Sequence, residues 1–209
     1  MQHPTHEQFT RYQSAFVYFN ESLFGGALPP AMLNFSRKAK SLGYFVPDAW
    51  GRAGGGDVVP EISLNPDYLE ERGVKDTLST PVHEMAHHWQ QCFGEPGRRG
   101  YHNKEWAEKM KQLGLYPSST GAPGGKETGQ RMSHYIVDGG AFDDAYQRMP
   151  PDVALPWSTK CRLDAIGGPK KPLSKVPYVC PGCETKVWGK PGLGSLVCGD
   201  CGDSFEEQS

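Results

Sequence analysis

Three histidines and one glutamate lie within six consecutive positions of this sequence, as His83, Glu84, His87 and His88. On a helix, residues four positions apart share one face, so His83 and His87 can hold one metal ion. Glu84 then lies beside them, where it can take a proton from water. This His-Glu-x-x-His arrangement is typical of zinc metalloproteases. His88 points about 100° away from His87 on a regular helix, so we expect it outside the metal site.

Zinc in a catalytic site takes three protein ligands and keeps a fourth position for water, so a third ligand is needed. The metzincin pattern would place glycine at position 90 and histidine at 93, but these positions hold Gln90 and Phe93, which excludes that class. His102 follows a glycine-rich loop and opens the next predicted helix, where it can fold back over the motif. Glu105 and Glu108 remain alternatives, because a glutamate on a downstream helix can also bind zinc. The sequence favours His102.

The six cysteines are unevenly distributed, and four of them form two Cys-x-x-Cys pairs. Cys180 and Cys183 belong to CPGC, and Cys198 and Cys201 belong to CGDC. In a cytosolic protein such pairs are typical of a four-thiolate zinc site, and disulfides are not expected. Two such knuckles also replace a hydrophobic core that so short a segment cannot build, whether or not it binds a partner. The sequence therefore predicts one structural and one catalytic zinc ion, two Zn²⁺ in all.

The composition bounds the class of protein. The formal net charge of −2 gives no overall nucleic-acid signature, and no apolar run of about eighteen residues could cross a membrane. The first residues, MQHPTHEQFTRYQ, lack the apolar stretch of a signal peptide. We therefore expect a cytoplasmic protein without a membrane partner, and the oligomeric state stays open.

The spacing of apolar residues predicts an α+β fold. An amphipathic helix is expected over 5–24, and a third helix over 103–114, after the helix that carries the histidine motif. Short apolar segments predict three strands of a small antiparallel sheet, at 32–36, 42–46 and 61–65. The sheet would lie beside the first helix.

Two features of the pattern stay open. Pro81 lies in the motif helix, where a proline removes a hydrogen bond, so this helix begins either near Thr80 or near Val74 with a bend. The segment SHYIVDG at 133–139 is a strand candidate. We expect its His134 to be structural, although the segment could line the cleft.

Basic residues suggest contact with nucleic acid. Between 160 and 190 there are seven basic residues against two acidic ones, and a tryptophan between two of the lysines could stack on an exposed base. Two arginines beside the proposed site could add a basic rim. Charged linkers are often only solvated, which is the simpler interpretation. The candidate nucleic-acid-binding residues are Arg98, Arg99, Lys170, Lys171, Lys186, Trp188 and Lys190.

Several motifs resemble the SprT-like metalloproteases, the family that includes the DNA–protein crosslink protease Spartan. They are FNESLFGGALP at 19–29, GYF at 43–45, PEISLN at 60–65, HEMAH at 83–87, GYHNKEW at 100–106 and the module YVCPGC with VCGDC. The resemblance implies a minimal zincin-like core, with helices packed on a three-stranded sheet. It also implies that His83, His87 and His102 bind zinc and that Glu84 is catalytic.

The resemblance implies a bacterial or phage type of the family, with a C-terminal zinc ribbon. The expected division is a protease core over 1–116, an extension and basic linker without family counterpart over 117–176, and the ribbon over 177–209. The expected function is a zinc-dependent endopeptidase that cleaves protein bound or crosslinked to DNA. The alternative is a non-catalytic nucleic-acid-binding or regulatory protein with structural zinc.

Overall fold

The computed structural model describes residues 3–160 and 175–208. The chain divides into two compact units, Met1–Leu163 and Asp164–Ser209. The fold is α+β, as the sequence predicts. Lys170 and Lys171, in the expected basic linker, lie outside the described residues.

A three-stranded sheet forms one layer of the first unit. Its strands are β1 (Met32–Phe35), β2 (Gly43–Gly51) and β3 (Val58–Leu64), in the order β1-β3-β2. The predicted all-antiparallel sheet is wrong for one pair: β2 is antiparallel to β3, but β1 is parallel to it. The reason is that β3 is the central strand of the sheet. It runs antiparallel to β2 on one edge, and β1 pairs with the other edge of β3 in the same chain direction.

Helices α1 (Pro4–Phe24) and α2 (Leu69–Phe93) pack with the sheet around one core. Apolar residues at helical spacing on α1 are buried, and the chain leaves this helix through Gly25, whose φ of 63° suits glycine. No helix among the described residues is long and apolar enough to cross a membrane.

The helix that carries the histidine motif begins before Pro81. Within α2 the backbone departs from helical geometry at Gly73, where φ is 71°, and the helical run that holds the motif starts at Val74. The alternative start near Thr80 is therefore wrong, and Pro81 lies inside the helix. The proline costs a single backbone hydrogen bond, while buried apolar residues on both sides of it hold the helix to the core.

The chain after the motif helix continues the same unit. Helix α3 (Lys104–Gln112) is followed by strand β4 (Leu115–Ser118), which pairs antiparallel with β5 (Ser133–Ile136), and by helix α4 (Ala141–Gln147). The boundary expected at residue 116 falls inside β4. Residues on both sides of it belong to one hydrophobic core, among them Leu115, Phe142 and Val153.

The described part of the second unit, residues 175–208, contains three short strands around the cysteine pairs. They are β6 (Val176–Val179), β7 (Lys186–Gly189) and β8 (Glu206–Glu207), in the antiparallel order β7-β6-β8. Tyr178 is buried on the central strand, and its hydroxyl donates to the Lys190 carbonyl at 2.7 Å. Among residues 175–208 the buried apolar side chains are few, namely Val176, Tyr178, Cys180 and Cys198, which is the situation in which bound metal replaces packing.

Candidate metal centre and catalytic site

Three histidines from separate positions in the chain converge in the first unit. His83 and His87 lie on α2, and His102 lies just before α3. Each offers one ring nitrogen, and these three atoms lie within 4.8 Å of one another. Their ring centroids are 4.7–5.6 Å apart. The structure thus brings together the three residues that the sequence favours as zinc ligands.

The alternatives for the third ligand are engaged elsewhere. The Glu105 carboxylate accepts hydrogen bonds from Gln90 Nε2 at 2.6 Å and from the backbone N–H of Glu95 at 2.8 Å. The carboxylate of Glu108 lies 3.2 Å from Lys111 Nζ on the exposed face of α3. Neither belongs to the histidine cluster.

His102 is placed by its chain neighbour Asn103 and by a distant backbone segment at Gly129. Asn103 caps α3, because its side-chain oxygen accepts from Trp106 N at 3.0 Å. The backbone of His102 exchanges two hydrogen bonds with Gly129, at 2.8 and 3.1 Å. The His102 Nδ1–H also donates to the Gly129 carbonyl at 3.0 Å. A carbonyl can only accept, so Nδ1 carries the proton and Nε2 keeps its lone pair.

The indole of Trp106 supports all three imidazoles. It is fully buried, and its ring centroids lie 4.9, 5.2 and 4.4 Å from those of His83, His87 and His102. Its packing limits the rotamers of the histidines, which keeps their nitrogens convergent.

The histidine cluster is better suited to binding a metal ion than to being protonated. Burial lowers the pKa of His87 to about 3 and holds the pKa values of His83 and His102 below their usual range. The imidazoles are therefore neutral at pH 7, each with one free lone pair. Three such donors, converging and partly shielded from water, fit the three-ligand set of a catalytic zinc site.

Glu84 lies beside the cluster but outside it. Its carboxylate is buried, and burial raises its pKa to about 8, with the charge of Lys38 acting in the opposite direction. The first residue of β2 leaves room for it: a Cβ on Gly43 would lie 2.8 Å from Thr80 Cγ2 and 3.3 Å from Glu84 Oε1. Glycine at this position therefore lets the strand approach the motif helix closely.

The comparison with known families agrees with this geometry. The model of the SprT-like family matches residues 12–123, which is more than half of the chain and includes all three histidines and Glu84.

This chain belongs to the SprT-like family.

That family is related to the zinc metallopeptidases, so the histidine cluster lies where a metal site is expected.

A short relative lies among the curated proteins. A Salmonella typhimurium protein described as an uncharacterized protein in the mucB 3′ region is 39% identical over 41 residues. The match covers 20% of this SprT-like chain and 55% of that protein, so the chain spans about half the length of the curated relative.

One polar residue near the cluster lies beyond the part that matches the SprT-like family. His134, on β5, has its Nδ1 atom 3.0 Å from His83 Nδ1, and its Nε2 atom 2.8 Å from Ser79 Oγ. From sequence, His134 is expected to be structural or to line the cleft, without a specific partner. Its partner is a proposed ligand, 51 positions away in sequence, which no spacing rule predicts.

His88 is separated from the cluster, as its position on the helix predicts. It is buried, its Nε2 donates to the Pro29 carbonyl at 2.9 Å, and its Nδ1 lies 3.6 Å from Cys92 Sγ. These partners give His88 a structural role between α2 and the segment before β1.

The four paired cysteines also converge. The Sγ atoms of Cys180, Cys183, Cys198 and Cys201 lie within 4.8 Å of one another. The two knuckles have matching backbones: Glu184 N donates to the Cys180 carbonyl and Gly202 N to the Cys198 carbonyl, both at 2.9 Å. Glu184 and Gly202 also share a left-handed backbone, with φ of 58° and 75°. Four thiols in this arrangement fit a tetrahedral structural zinc ion.

The described candidates for nucleic-acid contact are all exposed. Lys186 and Trp188 alternate with half-buried residues along β7, so they lie on one face of an edge strand, and Lys190 follows directly after the end of that strand. Arg98 and Arg99 lie in the loop before His102, and the Arg98 guanidinium is 5.1 Å from the centre of the Tyr101 ring.

Proposed function

We propose that this SprT-like protein is a zinc-dependent endopeptidase. The observation that carries the proposal is the convergence of three neutral imidazoles, from His83, His87 and His102, next to the buried carboxylate of Glu84. A purely structural zinc site has four protein ligands and no need of a base. Here three donors and an adjacent carboxylate are present, which suits hydrolysis.

The residues have separate roles in peptide-bond hydrolysis. Zinc held by the three histidines would supply Lewis acidity, which makes water more acidic and a carbonyl more electrophilic. A cation held beside Glu84 would lower the pKa of its carboxyl group from the value that burial alone gives, so that Glu84 is ionised. Glu84 then takes a proton from the attacking water as the water oxygen bonds to the scissile carbonyl carbon. When the carbon–nitrogen bond breaks, Glu84 gives that proton to the leaving amine. Gly43 keeps space for this carboxylate between strand and helix.

The test of this proposal is cleavage of a denatured protein by the purified full chain. We expect new peptide termini with the zinc-loaded protein, loss of cleavage after chelation, and recovery when zinc is restored. If the zinc-loaded protein cleaves nothing with or without single-stranded DNA, while its zinc ions are in place, the non-catalytic alternative replaces the proposal.

We expect the purified protein to hold two zinc ions, one at each cluster. The ribbon ion should be harder to remove, because four thiolates enclose it while three histidines leave one position open. Replacing Cys180 and Cys183 by serine should lower the zinc content by about one ion per chain. Elemental analysis of wild type and variant measures this, and an unchanged content in the variant would refute the four-cysteine site.

The substrate that we propose is protein bound or crosslinked to DNA. The supporting observation is Trp188, which is 67% exposed on β7 and lies between two exposed lysines, Lys186 on the same face of the strand and Lys190 just after its end. Residues 175–208, the described part of the second unit, contain three lysines and five acidic residues. Because acidic residues outnumber lysines here, stacking of a base on the Trp188 indole would provide most of the affinity. Ion pairs between lysines and phosphates would contribute less.

We expect Trp188→Ala to weaken binding of single-stranded DNA by about 1–3 kcal/mol, the contribution of one stacked base. The matched control is Trp157→Ala, which removes an exposed tryptophan from the first unit. Fluorescence anisotropy with a labelled oligonucleotide measures both variants in the full chain. Equal affinity of Trp188→Ala and wild type would exclude the stacking site while leaving the peptidase proposal intact.

A further inference from the structure

We propose that His134 is a positioning residue for the metal centre: it fixes the tautomer and orientation of His83 so that His83 Nε2 faces the metal. The inference rests on the proposed zinc site. It assigns a function to the β4–β5 hairpin, whose second strand lies beyond the part of the chain that matches the SprT-like family.

The hydrogen bonds around His134 have one consistent direction. Ser79 Oγ donates to the Asp76 carbonyl at 2.8 Å, which uses the single hydroxyl proton. The serine oxygen must therefore accept from His134 Nε2–H at 2.8 Å. A neutral His134 then has a lone pair on Nδ1, which accepts from His83 Nδ1–H at 3.0 Å. His83 is left with its lone pair on Nε2.

This chain of bonds determines the ligand tautomer independently of the metal. The chain of hydrogen bonds begins at the Asp76 carbonyl, which can only accept. This fixes Ser79 Oγ as a donor to that carbonyl, and the direction of each later bond then follows. A histidine that binds zinc commonly donates its other N–H to a carboxylate, a carbonyl or a water, which orients the ring. At His83 the acceptor is a second imidazole.

The register of the hairpin places His134. It pairs with Pro117 across the two strands, and the Tyr116 and Tyr135 rings stack beside this pair with centroids 5.2 Å apart. Neighbouring strand residues point to opposite faces. With Tyr135 stacked on one face, His134 is directed to the other, toward α2.

The same region of the chain holds a second proposed ligand. Gly129, between the two strands, accepts from His102 Nδ1–H at 3.0 Å. Residues 129–134 therefore provide the outer hydrogen bonds of His83 and His102, from outside the matched family segment. We infer that the loss of His134 lowers zinc affinity by disordering His83, although His134 itself does not bind the ion.

Two variants of nearly equal size separate this role from packing. His134→Asn retains an acceptor oxygen near the Nδ1 position, whereas His134→Leu removes it and leaves the His83 N–H unpaired. We expect the leucine variant to weaken zinc binding at the histidine site about 10- to 100-fold. The asparagine variant should stay close to wild type. Competition with a chelator measures both, and the cysteine site of the same chain is the internal reference.

A second measurement needs no variant. In ¹⁵N-labelled, zinc-loaded wild type, we expect a coupling across the hydrogen bond between His83 Nδ1 and His134 Nδ1, with the proton on His83. Absence of this coupling, or equal zinc affinity of the leucine variant and wild type, would overturn the role of His134 and leave the zinc site standing. If wild type binds zinc only at the cysteines, the proposed function fails as well.

Discussion

Replacing Glu84 by glutamine is expected to abolish proteolysis and leave zinc binding unchanged. Glutamine has almost the same shape as glutamate, and the three histidines are untouched, so the metal site and the fold should persist. The variant loses the group that accepts and returns the proton, a role that is typically worth about 10²- to 10⁴-fold in rate. Cleavage of a denatured protein, followed over hours by gel and mass spectrometry, measures the loss.

Zinc analysis and thermal unfolding are the controls for Glu84→Gln. Both should match wild type within error, and DNA binding should be unaffected. A variant that retains zinc and cleaves as fast as wild type would show that Glu84 is not the base.

The second large effect is expected from His102→Ala. With two imidazoles left, the site should lose its zinc ion under mild chelation, so the metal content should fall from about two ions per chain to one. Activity should fall to background, because the remaining ion lies in the ribbon. Elemental analysis before and after dialysis against a weak chelator gives the measurement.

Glu105→Gln and Glu108→Gln are the matched controls for this prediction. Glu105 accepts hydrogen bonds from Gln90 and Glu95, so its variant should lose some stability and yet keep the catalytic zinc. Glu108 is exposed on α3, and its variant should behave as wild type. Loss of zinc in either control, with His102→Ala retaining it, would contradict the proposed ligand set.

The convergence of the histidines could be anticipated from sequence because it depends on local geometry. Helical spacing places His83 and His87 on one face, and a short loop returns His102 to that face. The cysteine knuckles are local in the same sense, since each pair spans four residues. Signals of this kind need no knowledge of the rest of the fold.

Other features depend on long-range packing and could not be predicted. The parallel pairing of β1 with β3 depends on which edge of the central strand is free, and apolar spacing does not contain that information. The bond between His83 and His134 joins residues 51 positions apart. Gly43 is needed because β2 passes close to the motif helix there, leaving no room for a Cβ atom. The sequence does not show this contact, since a glycine in a strand often marks only a bulge or a bend.

The most direct test of the central claim, that zinc at the histidine site and Glu84 hydrolyse peptide bonds, is cleavage in water enriched in ¹⁸O. The protein is loaded with two zinc ions and incubated with a denatured protein, with and without single-stranded DNA. We predict new carboxyl termini that carry ¹⁸O with wild type, and none with Glu84→Gln or His102→Ala. Wild type that holds both ions and generates no labelled termini under either condition, or labelled termini that persist in Glu84→Gln, would contradict the claim.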